Sequence, residues 1–184
     1  MRRSNGFTLV ELMVTVVIIA TLAAVAGTAY TKYFARARVA EVVAFFGEIR
    51  NKEEAYRTEF SQYYSTTTVG ESDLYPVLIN GREPTAKLWN PAVNTPWFFL
   101  GARPGRAAVY CGYNAVAGPT GSWGAYGGAF VQASFGGVIP LEPWWVAFAM
   151  CDNDNVAGTL YDGNNTTYLT WYNNTSLRDQ FSGH

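Results

Sequence analysis

Apolar positions are distributed very unevenly along this chain. Residues Phe7–Ala29 form an apolar run of 23 residues that contains a single charged side chain, Glu11. As a helix, such a run is about 35 Å long, which is enough to cross a hydrocarbon core of roughly 30 Å. We therefore expect a membrane-spanning helix here. Arg2 and Arg3 in front of it favour a cytoplasmic N-terminus, with the rest of the chain across the membrane.

A second pattern follows without a break from Tyr30 to Phe60. Apolar residues now recur at steps of three and four, and Glu53 interrupts the series. Its members are Val39, Val42, Phe46, Ile49, Tyr56 and Phe60. This stripe predicts an amphipathic helix that packs on its own domain. Because no proline or turn cluster separates the two patterns, the sequence predicts one helix over about residues 7–60.

The remaining residues, 61–184, alternate between short apolar runs and stretches rich in Gly, Pro, Asn, Ser and Thr, which is typical of strands and loops. The predicted strands are Trp97–Ala102, Ala107–Ala115, Ala129–Phe135, Trp144–Cys151 and Tyr168–Tyr172. The stretch Ser65–Pro96 is predicted to connect helix and sheet. The expected fold class is α+β: a long N-terminal helix packed against an antiparallel β-sheet head. The expected parts are 7–29 (transmembrane half of the helix), 30–60 (amphipathic half) and 61–184 (head).

Composition narrows the function classes. Charged residues make up 15 % and aromatic residues 16 % of the chain, which excludes intrinsic disorder. The net charge of −1 offers no electrostatic footprint for nucleic acid, so no specific nucleic-acid site is expected. The single histidine is His184, which argues against a histidine-based catalytic dyad and a Cys/His zinc site. The acidic residues of the head have no spacing typical of catalysis, and we expect no enzyme.

Glu11 is the informative charge. A carboxylate inside an apolar run is costly in a membrane and needs a cation, but the run offers none. Cleavage between Gly6 and Phe7 would create an α-amino group one helical turn from Glu11, on the same chain or on a neighbouring one. A secretory signal peptide ending at Ala26 and a plain single-pass anchor are alternatives, but neither accounts for Glu11.

The stretch Gly6–Leu12 resembles the processing motif of type IV pilins and of the pseudopilins of type II secretion. The resemblance implies that residues 1–6 are a leader, that prepilin peptidase cuts after Gly6, and that the new Phe7 amine is methylated. It also implies that Glu11 pairs with the N-terminus of the next subunit. The implied fold is the same long helix with a β-rich head.

The implied function is a structural subunit of a type IV pilus-like filament. The implied partners are identical or related pilin subunits in a helical homopolymer, prepilin peptidase, and an inner-membrane assembly platform whose ATPase acts indirectly. Before assembly the precursor would lie in the inner membrane with a periplasmic head. After assembly it would belong to an extracellular pilus or a periplasmic pseudopilus.

The sequence departs from many major pilins in two places. Thr28 and Ala20 stand where those proteins carry a proline and a glycine, and Gly27 is the only helix breaker in the run. A pseudopilin and a minor pilin therefore stay open as alternatives. A membrane-anchored or secreted binding module is the alternative from a different class.

Cys111 and Cys151 fall in two predicted strands. In an oxidising compartment across the membrane, two cysteines most simply pair, and we expect a disulfide. Two free buried thiols stay open as the alternative, because connectivity cannot be read from sequence.

Asp152, Asp154 and Asp162 form the most ligand-like cluster and are candidate calcium ligands. The EF-hand pattern is absent, and Asn and Asp dominate tight turns for backbone reasons, so the turn interpretation is favoured. No other cofactor is expected. Two aromatic groups, Trp97–Phe99 and Trp144–Trp145, are expected to be core residues, and any exposed member would be a candidate for adhesion.

Overall fold

The structure is a computed structural model that describes residues 7–67, 73–76, 86–125, 127–152, 165–171 and 174–181. The chain divides into two units, Met1–Val39 and Ala40–His184. Its elements are α1 (Leu9–Phe60), β1 (Lys87–Leu88), α2 (Pro96–Leu100), β2 (Ala108–Val109), β3 (Cys111–Gly118), α3 (Ala129–Ser134), β4 (Trp144–Asp152), β5 (Asn165–Trp171) and β6 (Asn174–Phe181). Helix α1 therefore begins in the first unit and ends in the second.

The first unit contains the apolar start of α1. The window Leu9–Ala26 has a mean hydropathy of 2.5, and none of it is buried. At 1.5 Å per residue it is about 27 Å long. By length and composition, this part of the helix is able to cross a membrane.

The second unit is built on a four-stranded antiparallel sheet in the order β3-β4-β5-β6. Strand β3 pairs with β4 from Cys111 opposite Cys151 to Gly118 opposite Trp144. Strands β4 and β5 are also antiparallel, and β5 and β6 pair with an irregularity between Leu169 and Trp171. A separate two-stranded ladder joins β1 to β2.

The core of the second unit lies between the later part of α1 and strand β3. Val42, Phe45, Phe46 and Ile49 are all buried on one helix face. The Phe45 ring meets the Tyr113 ring of β3 edge to face, with centroids 4.7 Å apart. The amphipathic helix expected from the three- and four-residue spacing thus covers the sheet, because its apolar stripe is removed from water there.

The chain leaves α1 through a tight reversal. Ser61 adopts a left-handed conformation with φ of 56°, and its N–H donates to the Arg57 carbonyl, as in a helix C-terminal cap. Thr66 then docks on β3: its N–H donates to the Ala115 carbonyl, and its hydroxyl accepts from the Ala115 N–H at 2.8 Å. The connection from helix to sheet therefore begins with a segment that is hydrogen-bonded to the edge strand β3.

Two predicted strands are wrong. Trp97–Ala102 falls on helix α2, which Pro96 starts and Gly101 ends in the left-handed conformation. Ala129–Phe135 falls on helix α3, which begins after Gly128. Aromatic residues gave both segments a strand-like composition, but the local start and stop residues decide the backbone.

The other predicted strands are found with altered limits. Trp144–Cys151 agrees with β4, and the predicted 107–115 segment is divided between β2 and β3. Strand β5 begins earlier than predicted, and β6 was not predicted. The α+β fold class, with a long N-terminal helix and a small antiparallel sheet, is confirmed.

Candidate functional site

The candidate processing and assembly site lies at the start of α1. Thr8 immediately precedes the first helical residue, Leu9, and its carbonyl accepts from the Leu12 N–H at 3.2 Å. The Glu11 N–H donates to the Thr8 hydroxyl oxygen at 3.3 Å, while the Thr8 N–H donates to Glu11 Oε2 at 2.9 Å. These reciprocal bonds form a capping box, which satisfies backbone donors that have no partner inside the helix.

A third bond ties the same two side chains together. The Thr8 hydroxyl donates to Glu11 Oε2 at 2.7 Å. The Glu11 carboxylate therefore has two donors from one residue, and its negative charge lies in the first turn of the helix, where the helix dipole favours an acid. Both residues are exposed in this structure.

Phe7 is the residue just outside the helix. Its side chain is 78 % exposed, and its backbone is in neither helix nor strand. Gly6, the other half of the predicted cleavage site, and the rest of the leader 1–6 lie outside the described residues. Because Phe7 precedes the cap, a peptidase acting on the bond before it would leave the helical hydrogen bonds unchanged.

The apolar window contains polar side chains that are satisfied internally. The hydroxyl of Thr15 donates to the Leu12 carbonyl, and the hydroxyl of Thr21 donates to the Ile18 carbonyl, both at 2.9 Å. A helix with its hydroxyls bonded back to its own backbone suits surroundings without water. Glu11 is the exception, because an ionised carboxylate is costly in such surroundings unless a cation pairs with it.

Comparison with known proteins bears on the same segment. Residues 1–27 match the family model of the prokaryotic N-terminal methylation motif. The chain carries a prepilin-type N-terminus. A relative, a probable minor fimbrial protein of Dichelobacter nodosus, is 39 % identical over 70 residues, which cover 38 % of this chain and 41 % of that protein. The match therefore spans less than half of the relative's length, and no solved structure matches the chain.

The resemblance of Gly6–Leu12 to prepilins is confirmed by this match. Its functional residues stay predictions: cleavage after Gly6, methylation of Phe7 and pairing through Glu11 are not tested by the geometry. Thr8 is the member of the site that the sequence argument missed. The signal was present, since Thr8 and Glu11 have the Thr-x-x-Glu spacing of a capping box before an apolar run.

The two cysteines meet in the sheet of the second unit. Cys111 of β3 lies directly opposite Cys151 of β4, with 4.4 Å between their Cα atoms, and a disulfide joins them. Both residues are buried. The bond closes a separation of 40 residues and ties together the two strands that carry most of the core.

The calcium candidates cannot be brought together from the described residues. Asp152 ends β4, whereas Asp154 and Asp162 lie outside the described residues. Within the described part of the chain, no group of three or more His, Cys, Asp or Glu side chains is placed to hold a metal ion. Calcium binding stays a prediction.

The aromatic groups are divided between core and surface. Trp97, Trp144 and Trp145 are buried, as expected. Phe98 and Phe99 are 44 % and 59 % exposed and are therefore the members that reach the surface. Both lie on α2, the helix that the sequence pattern placed in a strand.

Proposed function

We propose that this chain is a structural subunit of a type IV pilus-like filament. In this proposal prepilin peptidase cleaves it after Gly6, the new Phe7 amine is methylated, and the mature subunit polymerises through the apolar part of α1. The single observation that carries the proposal is the prepilin-type motif at residues 1–27. It begins a helix whose apolar side chains are exposed.

Exposure of the helix supports a role in polymerisation. Large apolar side chains between Phe7 and Val25 are more than half exposed. A contiguous apolar surface of this size needs a membrane or other protein surfaces around it. Two successive states meet this need. The precursor lies in the inner membrane, and the helix of the mature subunit then packs among other subunits.

The geometry of Glu11 supports its role as an assembly residue. Among the described residues, the hydrogen-bond donors to its carboxylate are the Thr8 hydroxyl and the Thr8 N–H, and both are neutral. Cleavage would place a cationic amine on Phe7, the residue next to Thr8. A charge-assisted hydrogen bond from an amine is roughly twice as strong as a neutral one, and away from water it is favoured over the cap.

A minor pilin is the second candidate, and one observation favours it over the pseudopilin of a secretion system. The relative with 39 % identity is described as a probable minor fimbrial protein. The absence of a proline near the end of the apolar run, where Thr28 stands, argues against a typical major pilin and does not separate these two candidates. We therefore propose an extracellular fibre as the final location, with the assembly platform and its ATPase as partners during export.

The proposal is tested by combining intact-mass analysis with shearing of surface fibres from cells that express the chain. The mature protein is expected to lack residues 1–6, to carry one added methyl group and to occur in the fibre fraction. The Glu11→Gln variant keeps a side chain that serves in a capping box but loses the charge. It is expected to be processed and to stay in the membrane while disappearing from the fibres.

Thr8→Val is the matched control, because it removes the capping hydroxyl and leaves the Glu11 charge. It is expected to enter fibres once its processing has been verified by mass. If Glu11→Gln entered fibres as the parent chain does, the charge of Glu11 would not be needed and its assembly role would be wrong. A mature N-terminus at Gly27 would instead identify a signal peptide.

A further inference from the structure

A cavity of about 590 Å³ lies in the second unit, away from the prepilin motif. All residues that line it come from one continuous stretch, Trp89–Ala107. This size is in the range of small-ligand sites, which are typically 300–1,000 Å³. The site is therefore local in sequence, although residues from elsewhere in the second unit pack behind it.

The stretch is closed at its base by Trp89. The Trp89 N–H donates to the Ala107 carbonyl at 2.8 Å, and the indole N–H of the same residue donates to the Ala102 carbonyl at 3.2 Å. The ladder between β1 and β2 continues this pairing, with Leu88 opposite Ala108 and Lys87 opposite Val109. The segment between Ala102 and Ala107 is thus fixed at both ends by a single residue.

The floor of the cavity is rigid and aromatic. The Trp89 and Trp97 rings meet edge to face with centroids 5.0 Å apart, and Phe45 of α1 lies 4.8 Å from Trp89. Tyr75 packs against Trp89 on another side, also at 5.0 Å. Packing to the helix core holds these rings in place, while Phe98 brings a half-exposed ring to the cavity wall.

The fixed segment carries the only charges of the stretch. Arg103 and Arg106 both line the cavity and are both exposed, and Trp89–Ala107 contains no acidic residue. Neither arginine forms an ion pair with an acid among the described residues. Two guanidinium groups three residues apart in a chain of net charge −1 form a local anion-attracting site.

One buried donor in the wall has no partner. The indole Nε1 of Trp97 is buried and has no hydrogen-bond acceptor among the described residues. Other atoms of the Trp97 ring line the cavity, so this indole contributes apolar surface to the wall. The Asn90 side chain adds an exposed amide to the same lining.

We propose that this cavity binds an acidic saccharide, specifically a short oligosaccharide of hexuronic acid. The half-exposed Phe98 ring offers a face for the C–H surface of a sugar, and the exposed Asn90 amide offers hydrogen bonds for hydroxyl groups. Arg103 and Arg106 bind its carboxylates through paired N–H donors. The proposal goes beyond filament assembly and does not depend on it.

A short acidic ligand fits the charge distribution better than a long polyanion does. Proteins that bind single-stranded nucleic acid without sequence preference follow the backbone with a positively charged groove, whereas the positive charge here is confined to two residues at one cavity. The exposed ring of Phe98 is suited to stack on a pyranose at the cavity edge. Nucleic acid is therefore an outcome of the test and not the proposal.

The test is a titration of the full-length chain in detergent micelles with trigalacturonate, monitored by calorimetry. Maltotriose, which has the same number of rings and no carboxylate, is the neutral comparison. Trigalacturonate is expected to bind, with affinity that falls as salt rises. The double variant Arg103→Gln/Arg106→Gln is expected to weaken binding at least tenfold, and Phe98→Ala several-fold.

Arg50→Gln is the matched control, because Arg50 is an exposed arginine of α1 that does not line the cavity. It is expected to leave the affinity for trigalacturonate unchanged. Three results would overturn the proposal: no binding up to about 10 mM, equal binding of maltotriose, or equal loss of affinity in Arg50→Gln. Tighter binding of a short oligothymidylate than of trigalacturonate would assign the cavity to nucleic acid instead.

Discussion

Glu53 is a fully buried acid on the apolar face of α1. Its Oε2 accepts the Tyr64 N–H at 2.9 Å, which ties the returning chain to the helix, while its Oε1 has no hydrogen-bond partner among the described residues. Burial raises the pKa of Glu53 to about 8, with a further contribution from neighbouring Glu54, although the Tyr64 N–H acts in the opposite direction. The folded protein therefore keeps this side chain protonated at neutral pH.

This protonation makes the stability of the second unit depend on pH. The folded state releases the Glu53 proton near pH 8, whereas the unfolded chain releases it near 4.5. Between these values the folded state binds more protons, so the free energy of unfolding is expected to fall as pH rises, by at most about 1.4 kcal/mol per pH unit. Glu53→Gln is expected to remove most of this slope and to be more stable than the parent chain at pH 8.

Denaturant unfolding of the full chain at several pH values measures the effect. Glu59→Gln, which alters an exposed acid on the same helix, is the control and is expected to keep the parent slope. A parent chain whose stability rises from pH 5 to pH 8 would contradict the role assigned to Glu53.

Among single residues, part of the candidate site could be predicted from the sequence. Glu11 was identifiable because neither a signal peptide nor a plain membrane anchor explains a single acid in an apolar run. Cys111 and Cys151 were identifiable because two cysteines in predicted strands most simply form a disulfide. Thr8 was missed although its spacing to Glu11 was visible. The two cavity arginines were not identifiable from the sequence. Nothing in it shows that Trp89 fixes the segment between Ala102 and Ala107, on which both arginines lie, beside the aromatic rings.

Among the elements, the long ones were predictable and the short ones were not. Helix α1 repeats its pattern over many turns, so isolated exceptions such as Glu53 do not hide it. Helix α2 has five residues, too few for any period to be read, and its composition of Trp, Phe and Leu favours strands. Thr95, Pro96 and Gly101 were the better evidence, since start and stop residues act locally even in a single helical turn.

The disulfide that joins β3 to β4 gives a testable prediction for the sheet. Replacing both cysteines, as Cys111→Ser/Cys151→Ser, is expected to lower the free energy of unfolding by about 4 kcal/mol in the chain-entropy estimate for a loop of this length. Thermal unfolding of the full chain measures it. Reduction of the parent chain is expected to give a similar loss, and unchanged stability in both cases would show that the bond does not hold the sheet together.

The whole molecule combines two units with different solvent requirements. Side chains from Phe7 to Ala26 are exposed, whereas the second unit has its own buried core, which includes the α1 residues from Val42 to Ile49. A chain that starts at Thr28 keeps every described residue of this core. It is therefore expected to stay in solution without detergent and to unfold cooperatively.

Size-exclusion chromatography and calorimetry of this shortened chain are the measurements. The full-length chain, which carries the apolar window, is expected to need detergent under the same conditions. A shortened chain that aggregates or unfolds without a cooperative transition would show that the second unit depends on the apolar segment for its fold.

The closure of Trp89–Ala107 on itself has a consequence for where this chain tolerates substitution. Because Trp89 fastens both ends of the segment that holds Arg103 and Arg106, the residues in between do not carry the four-stranded sheet. Residues 103–106 are exposed or half-exposed, whereas Trp97, Leu100 and Ala102 of the same stretch belong to the buried core. Substitutions at residues 103–106 are therefore expected to change the lining of the cavity at little cost to the free energy of unfolding.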